Sequence, residues 1–186
     1  MSHLPAEKAL DELLVLTCRA GGHEAFVALH ERWHHRLLAH AGTLLGRRFA
    51  DRADDVCQEA WLAIANGIAA LGEPRHFRAW AYSIVTRRVA DQLRTLGRSE
   101  RAAAELRRES VNQSLASDDS RTEHEALRRA LDTLSSEDRA LLRLFYLDEL
   151  SVAETAEALA VPIGTVKSRL FHARQRLRRA LQLREP

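Results

Sequence analysis

The sequence predicts an all-α protein built as two small helical domains joined by a flexible linker, and three observations predict it. Ala, Leu, Arg and Glu supply 101 of the 186 residues, and all four are tolerated well inside helices. Gly and Pro together supply 12, roughly half the usual share, which leaves too little turn chemistry for a sandwich or barrel. Strong helical periodicity runs to about residue 95, lapses, and returns near residue 126. The domains are therefore expected at 1–95 and 126–186, with 96–125 as the tether.

In the first domain the spacing predicts helices near 6–19, 23–45, 52–70 and 75–96. Gly21-Gly22 separates the first two and Gly46 ends the second. Asp51 is the expected N-cap of the third, and Gly72-Glu73-Pro74 divides it from the fourth. Phe26, Leu29, Trp33, Leu37 and Leu44 form a buried stripe on the second helix. On the third, Val56, Ala60 and Ile64 face inward, which leaves Asp54, Asp55, Gln58 and Glu59 on the polar side.

The tether loses its large apolar residues after Leu115, so burial cannot offset the entropy of ordering it. A helical first half is expected around Ala102–Arg108, and the far end, Ser117–Glu125, is acidic. The second domain starts with a helix near 123–133. Ser135-Ser136-Glu137-Asp138 then opens a helix near 136–147, and Ser151-Val152-Ala153-Glu154 opens a short helix to about Leu159. After the turn Val161-Pro162-Ile163-Gly164 comes a final helix to about Leu183.

Several function classes fall away. No apolar run is long enough to span a membrane, and the N-terminus lacks a signal-peptide core, so a cytoplasmic location is expected. Cys18 and Cys57 have no metal or redox spacing and read as small hydrophobes. His30 and His34 share a helical face, with His35 and His40 nearby. No third ligand or HExxH pattern accompanies them, so neither metal nor cofactor is expected. No nucleophile–base set, phosphate loop or paired carboxylates stand out, and no enzyme is read.

The short helix, turn and long helix of the second domain form a helix-turn-helix. Val152, Ala156 and Leu159 face Val166, Leu170, Ala173, Leu177 and Leu181, and Ala156 permits a close crossing. Between Pro162 and Arg184 stand seven basic residues and no acid, although the net charge is only +2. That is the electrostatic footprint of a phosphate-binding helix. Exposed Lys167, Ser168, Phe171 and His172 can then reach base edges, with Arg169 and Arg174 beside them.

At this point the chain resembles the extracytoplasmic-function sigma factors of bacterial RNA polymerase. The run Gly164-Thr165-Val166-Lys167-Ser168-Arg169-Leu170 is similar to region 4 of that family. Ala53-Asp54-Asp55-Val56-Cys57-Gln58-Glu59-Ala60-Trp61 and Phe77-Arg78-Ala79-Trp80-Ala81-Tyr82-Ser83-Ile84 are similar to two segments of region 2. The resemblance implies that Asp54, Asp55, Gln58 and Glu59 face the coiled coil of the polymerase's largest subunit. It places Gly72–Phe77 and the following helix at the −10 element. His76, Phe77, Trp80 and Tyr82 become candidates for capturing a flipped base, with Trp80 mainly core. Arg75, Arg78, Arg87, Arg88 and Arg94 become candidate phosphate contacts. Lys167, Ser168, Phe171 and His172 match −35 reading positions. The tether would pass near the polymerase's active-site cleft, an anti-sigma factor would hold the protein inactive, and the free protein would be a monomer.

The chain departs from the family pattern at Arg87, often Asn there, and at His172, often Arg. Thr155 stands for an aliphatic residue and Ala160 for glycine, both read as mild packing changes. A second reading stays open from residues alone: a free-standing helix-turn-helix regulator, metal-responsive through His30 and His34. Such a regulator has no need of the acidic 54–59 or the aromatic 77–82 segment.

Overall fold

The computed structural model describes residues 4–106 and 130–182. The first unit contains α1 (Leu4–Arg19), α2 (His23–Leu45), α3 (Ala53–Gly67) and α4 (Phe77–Leu106). The second contains α5 (Ser136–Leu142), α6 (Val152–Leu159) and α7 (Ile163–Gln182), and no strand occurs among the described residues. The expected helix near 123–133 is described only over 130–132, and Ser117–Glu125 lies outside the described residues. No helix among the described residues is long and apolar enough to cross a membrane.

The stripe of α2 forms the centre of the first core. Leu29, Trp33 and Leu37 are buried against Val56, Ala60 and Ile64 of α3 and Phe77, Tyr82 and Val85 of α4. Trp33 meets Phe77 and Tyr82 edge-on, with centroids 5.5 and 5.8 Å away, the orientation that ring quadrupoles favour. Its indole N–H donates to Asp11 Oδ1 at 3.1 Å, and Arg32 Nε donates to the same oxygen at 3.1 Å. This buried carboxylate pins α1 onto α2, because leaving the Trp33 indole N–H unpaired in the interior is costly.

Four boundary expectations need correction. Asp51 does not cap α3: a 3₁₀ turn over Arg47–Arg52 precedes the helix, and Asp51 pairs with Arg52 instead. The fourth helix does not stop near 96 but continues unbroken through the expected linker helix to Leu106, since nothing there breaks helical hydrogen bonding. The helix near 136–147 is α-helical only to Leu142 and closes in a π turn over Arg143–Leu147. That turn leaves Tyr146 and Leu147 exposed. Ala160, finally, is not a packing change, since it ends α6 in the left-handed region at φ 53°.

The two units pack together. Among the described elements the largest interface joins α4 to α6, and α2 also meets α5. Thr86 Oγ1 donates to the Ala158 carbonyl at 2.7 Å, and Arg78 donates to the Asp148 carbonyl. His40, read from the sequence with the other histidines, is fully buried beside this contact.

Candidate nucleic-acid interface

The helix-turn-helix is set by local chemistry. The Ser151 hydroxyl accepts from the Glu154 amide at 3.2 Å while the Glu154 carboxylate accepts from the Ser151 amide at 2.8 Å, a complete capping box. Val166, Leu170 and Ala173 are buried on the inner face of α7. Lys167, Ser168, Phe171 and His172 are consequently exposed together on its outer side. Phe171 is 57% exposed and meets His172 edge-on at 5.4 Å. A large apolar ring held in water beside a lysine suits contact with a thymine methyl in a major groove.

Arg169 is half-buried, and Arg174 is exposed. Its guanidinium lies 5.8 and 5.5 Å from the Phe145 and Tyr146 ring centres, and its Nε donates to the Tyr146 hydroxyl. Cation–π attraction holds it against these two rings.

On α3 the acids are where the pattern puts them. Asp54, Asp55, Gln58 and Glu59 are exposed along one side, and Ala53, Val56, Cys57, Ala60 and Ile64 are buried on the other. Asp54 and Asp55 also occupy the first turn, where carboxylates favour the helix dipole.

The set expected at the −10 element is divided. Arg75, His76, Arg87 and Arg94 are exposed, and Arg88 is half-buried. Arg75 pairs with Glu73 and Arg94 with Asp91, while Arg87 donates to the Ser83 carbonyl at 3.2 Å. Half-buried Trp80 packs on Gly67, where an added Cβ would meet its ring at 2.9 Å. Phe77, Arg78 and Tyr82 correct the expectation, because none is presented to a ligand in this arrangement. Phe77 and Tyr82 are fully buried around Trp33, and Arg78 is 5% exposed beneath the second unit. Tyr82 also faces buried Asp148. Burial first, then that carboxylate, raises the phenol well above its usual range. Burial raises the Asp148 carboxyl as well, against the pull of Arg143 at 3.5 Å.

Two concavities escaped the sequence because they join distant segments. One, of about 290 Å³, gathers Lys8, Asp11 and Glu12 of α1 with Arg75, His76 and Arg78, and Glu154 of α6 closes it. Burial alone would raise the Glu154 carboxyl, but the Ser151 hydrogen bonds, Lys8 and Arg78 outweigh it and hold it below its ordinary range. The other is a groove of about 980 Å³ between α2, α5 and α7, with Leu142, Leu147 and Leu177 in its lining. Arg47, Arg139, Arg143, Arg174 and Arg178 line it too, against the single acid Asp132.

The histidines do not form a metal centre among the described residues, where no three His, Cys, Asp or Glu side chains converge on one point. His30 and His34 stack ring on ring at 4.9 Å, and the Cys57 sulfur lies 3.9 Å from His34 Nδ1. Burial lowers the His30 pKa, and burial raises that of Cys57 to about 11.

Comparison with known proteins decides the family. The Sigma-70 region 2 family matches residues 29–99, and the Sigma-70, region 4 family matches 124–177. The ECF RNA polymerase sigma factor SigM of Mycobacterium tuberculosis (strain ATCC 25618 / H37Rv) is 33% identical over 168 residues, covering 87% of this chain and 80% of SigM. This chain belongs to the ECF sigma factors of the sigma-70 family. SigW of Bacillus subtilis (strain 168) is 26% identical, covering 88% of this chain and 92% of SigW. A co-crystal structure of the sigma factor RpoE with the anti-sigma factor NepR from Bartonella quintana superposes with a TM-score of 0.64 at 25% identity. It covers 86% of this chain and 98% of RpoE. CnrH, solved with the cytosolic domain of CnrY, shares the fold at a TM-score of 0.61 and 23% identity, covering 95% and 99%. An ECF sigma factor is a transcription initiation factor rather than an enzyme, which agrees with the absence of a catalytic set in the sequence.

Proposed function

We propose that this sigma factor binds core RNA polymerase through the acidic face of α3 and directs it to promoters, reading −10 with residues 1–95 and −35 with residues 126–186. One observation carries the reading: a single chain presents an exposed acidic face on α3 and an exposed base-reading face on basic α7. The first suits a positively charged protein surface, where complementarity speeds and orients docking. The second suits duplex DNA, with Lys167 and His172 polar and Phe171 apolar. Each module binds weakly alone, and polymerase supplies the fixed spacing that makes the pair selective. The protein acts in the cytoplasm as a monomer when free.

Control by an anti-sigma factor belongs to the same reading. RpoE was solved with the anti-sigma factor NepR, and CnrH with the cytosolic domain of CnrY. The groove between α2, α5 and α7 offers an apolar floor and five arginines, which fits an amphipathic acidic helix. Reconstituted transcription tests the whole. Core polymerase plus this protein should yield promoter-specific transcripts from a library of genomic upstream regions, and none would sink the reading.

A further inference from the structure

Cys57 and His34 meet across the α2–α3 interface in a pairing that promoter recognition does not use. Cys57 sits on the inner side of α3 and is fully buried, with its sulfur 3.9 Å from His34 Nδ1 on α2. An ion shared by these two atoms would hold them roughly 3.6–4.4 Å apart, from a tetrahedral to a linear angle at ordinary metal–nitrogen and metal–sulfur lengths. The observed separation already falls inside that range. His30, one turn before His34, stacks on it at 4.9 Å and also meets the Trp61 ring at 4.6 Å.

Trp61 supplies an independent observation. It is 6% exposed, and its indole N–H is buried with no hydrogen-bond partner among the described residues, a state that interiors rarely leave unexplained. Burial first, then the Asp54 charge, raises the Cys57 thiol, while the Trp61 N–H pulls against them. That donor therefore faces the sulfur, and a thiolate would accept from it about twice as strongly as a neutral thiol. Metal binding creates the thiolate, because a coordinating thiol gives up its proton.

The donor count selects the metal. No third His, Cys, Asp or Glu converges on the pair among the described residues, so Zn²⁺, which is ordinarily four-coordinate, is underprovided. A soft thiolate with few companions favours Cu⁺. His34 is half-buried and its neighbour His35 is exposed, which gives an ion a path to the sulfur past the imidazoles.

We propose that Cys57 and His34 form a soft-metal site that binds one Cu⁺ between α2 and α3, with Trp61 donating to the bound sulfur. Binding forms one Cu–S and one Cu–N bond, sends the thiol proton to solvent and changes no oxidation state. The site does not depend on the promoter reading.

Anaerobic titration of the full-length protein with Cu⁺, in competition with bicinchoninate, tests it. Wild type should withdraw one equivalent, and X-ray absorption at the copper edge should show a single sulfur neighbour together with nitrogen. Cys57→Ala and His34→Gln should each weaken binding by about a hundredfold or more, at or beyond the upper end of what losing an outer-shell partner costs. Cys18→Ala, which removes the other cysteine, should leave binding unchanged, and excess Zn²⁺ should not displace the copper. No withdrawal of Cu⁺, full affinity in Cys57→Ala or His34→Gln, loss of binding in Cys18→Ala, or displacement by Zn²⁺ would each overturn the site. If Cys57→Ala fails to fold, His34→Gln and the copper-edge spectrum of the wild type decide.

Discussion

His40 Nε2 lies 3.0 Å from Thr86 Oγ1, and the same hydroxyl donates to the Ala158 carbonyl at 2.7 Å. With its proton committed to Ala158, Thr86 must accept from His40, so the imidazole carries hydrogen on Nε2. Its Nδ1 is buried with no partner, the Tyr82 ring stands 5.0 Å away, and Arg143 is the nearby charge. Burial first, then Arg143, lowers the pKa from 6.5 to about 3.

The sign of the pH dependence follows. The unfolded chain binds a proton at His40 below pH 6.5 that the folded chain refuses until about pH 3. Stability is therefore complete above 6.5 and falls as the pH drops, by about 1.4 kcal/mol per unit inside that window. Asp148, whose folded pKa is raised, opposes this at lower pH. Urea denaturation at pH 7 and pH 5 should show a smaller loss for His40→Gln, which keeps a donor toward Thr86 but cannot titrate. An equal loss would show that His40 is not the group responsible.

Reversing the charge of α3 separates docking from folding. Asp54 and Asp55 are exposed on the side of α3 opposite its buried face, so Asp54→Arg with Asp55→Arg should keep the protein helical. Polymerase binding should weaken at least tenfold, since like charges would then face each other. Surface plasmon resonance against core enzyme measures it, and retained binding would mean the contact lies elsewhere.

On α7, Lys167→Ala should weaken binding of polymerase holoenzyme to −35-dependent promoters. If Lys167 contacts phosphate, the loss should be nearly uniform across sequences and the salt dependence should fall by about one counterion. If it reads a base, discrimination at one position should relax by about 1–3 kcal/mol. Wild-type behaviour on both counts would contradict the assignment of this face to DNA.

The elements most legible in the sequence were those governed by local chemistry. Leu29, Trp33 and Leu37 marked the buried side of α2, and the Ser151–Glu154 box marked the start of α6, because caps and periodicity act within a few residues. The acidic face of α3 followed from the apolar face opposite. What stayed hidden was the closure of the two units. Thr155 and Ala158 are too small and mild to signal a second buried face, and a buried Arg78 reads in sequence like any surface arginine. The same blindness to long-range contact placed Phe77 and Tyr82 on a DNA face when Trp33 and His40 enclose them.

Ala160 offers the sharpest test of local geometry. It ends α6 at φ 53° and ψ 42°, with its amide donating to the Glu157 carbonyl at 3.1 Å. An L-residue with a Cβ pays roughly 1–2 kcal/mol in the left-handed region, whereas glycine enters it freely. Glycine costs more backbone entropy on folding, about 0.4–1 kcal/mol, which offsets part of the gain. Ala160→Gly should therefore stabilise the second unit by about 0.5–1 kcal/mol, seen as a raised urea midpoint with an unchanged slope. Ala156→Gly, inside the same helix at ordinary angles and buried against α7, should do the opposite. If both glycines destabilise, the helix ends in a different conformation, and the angle at which α7 leaves the turn toward DNA would have to be redrawn.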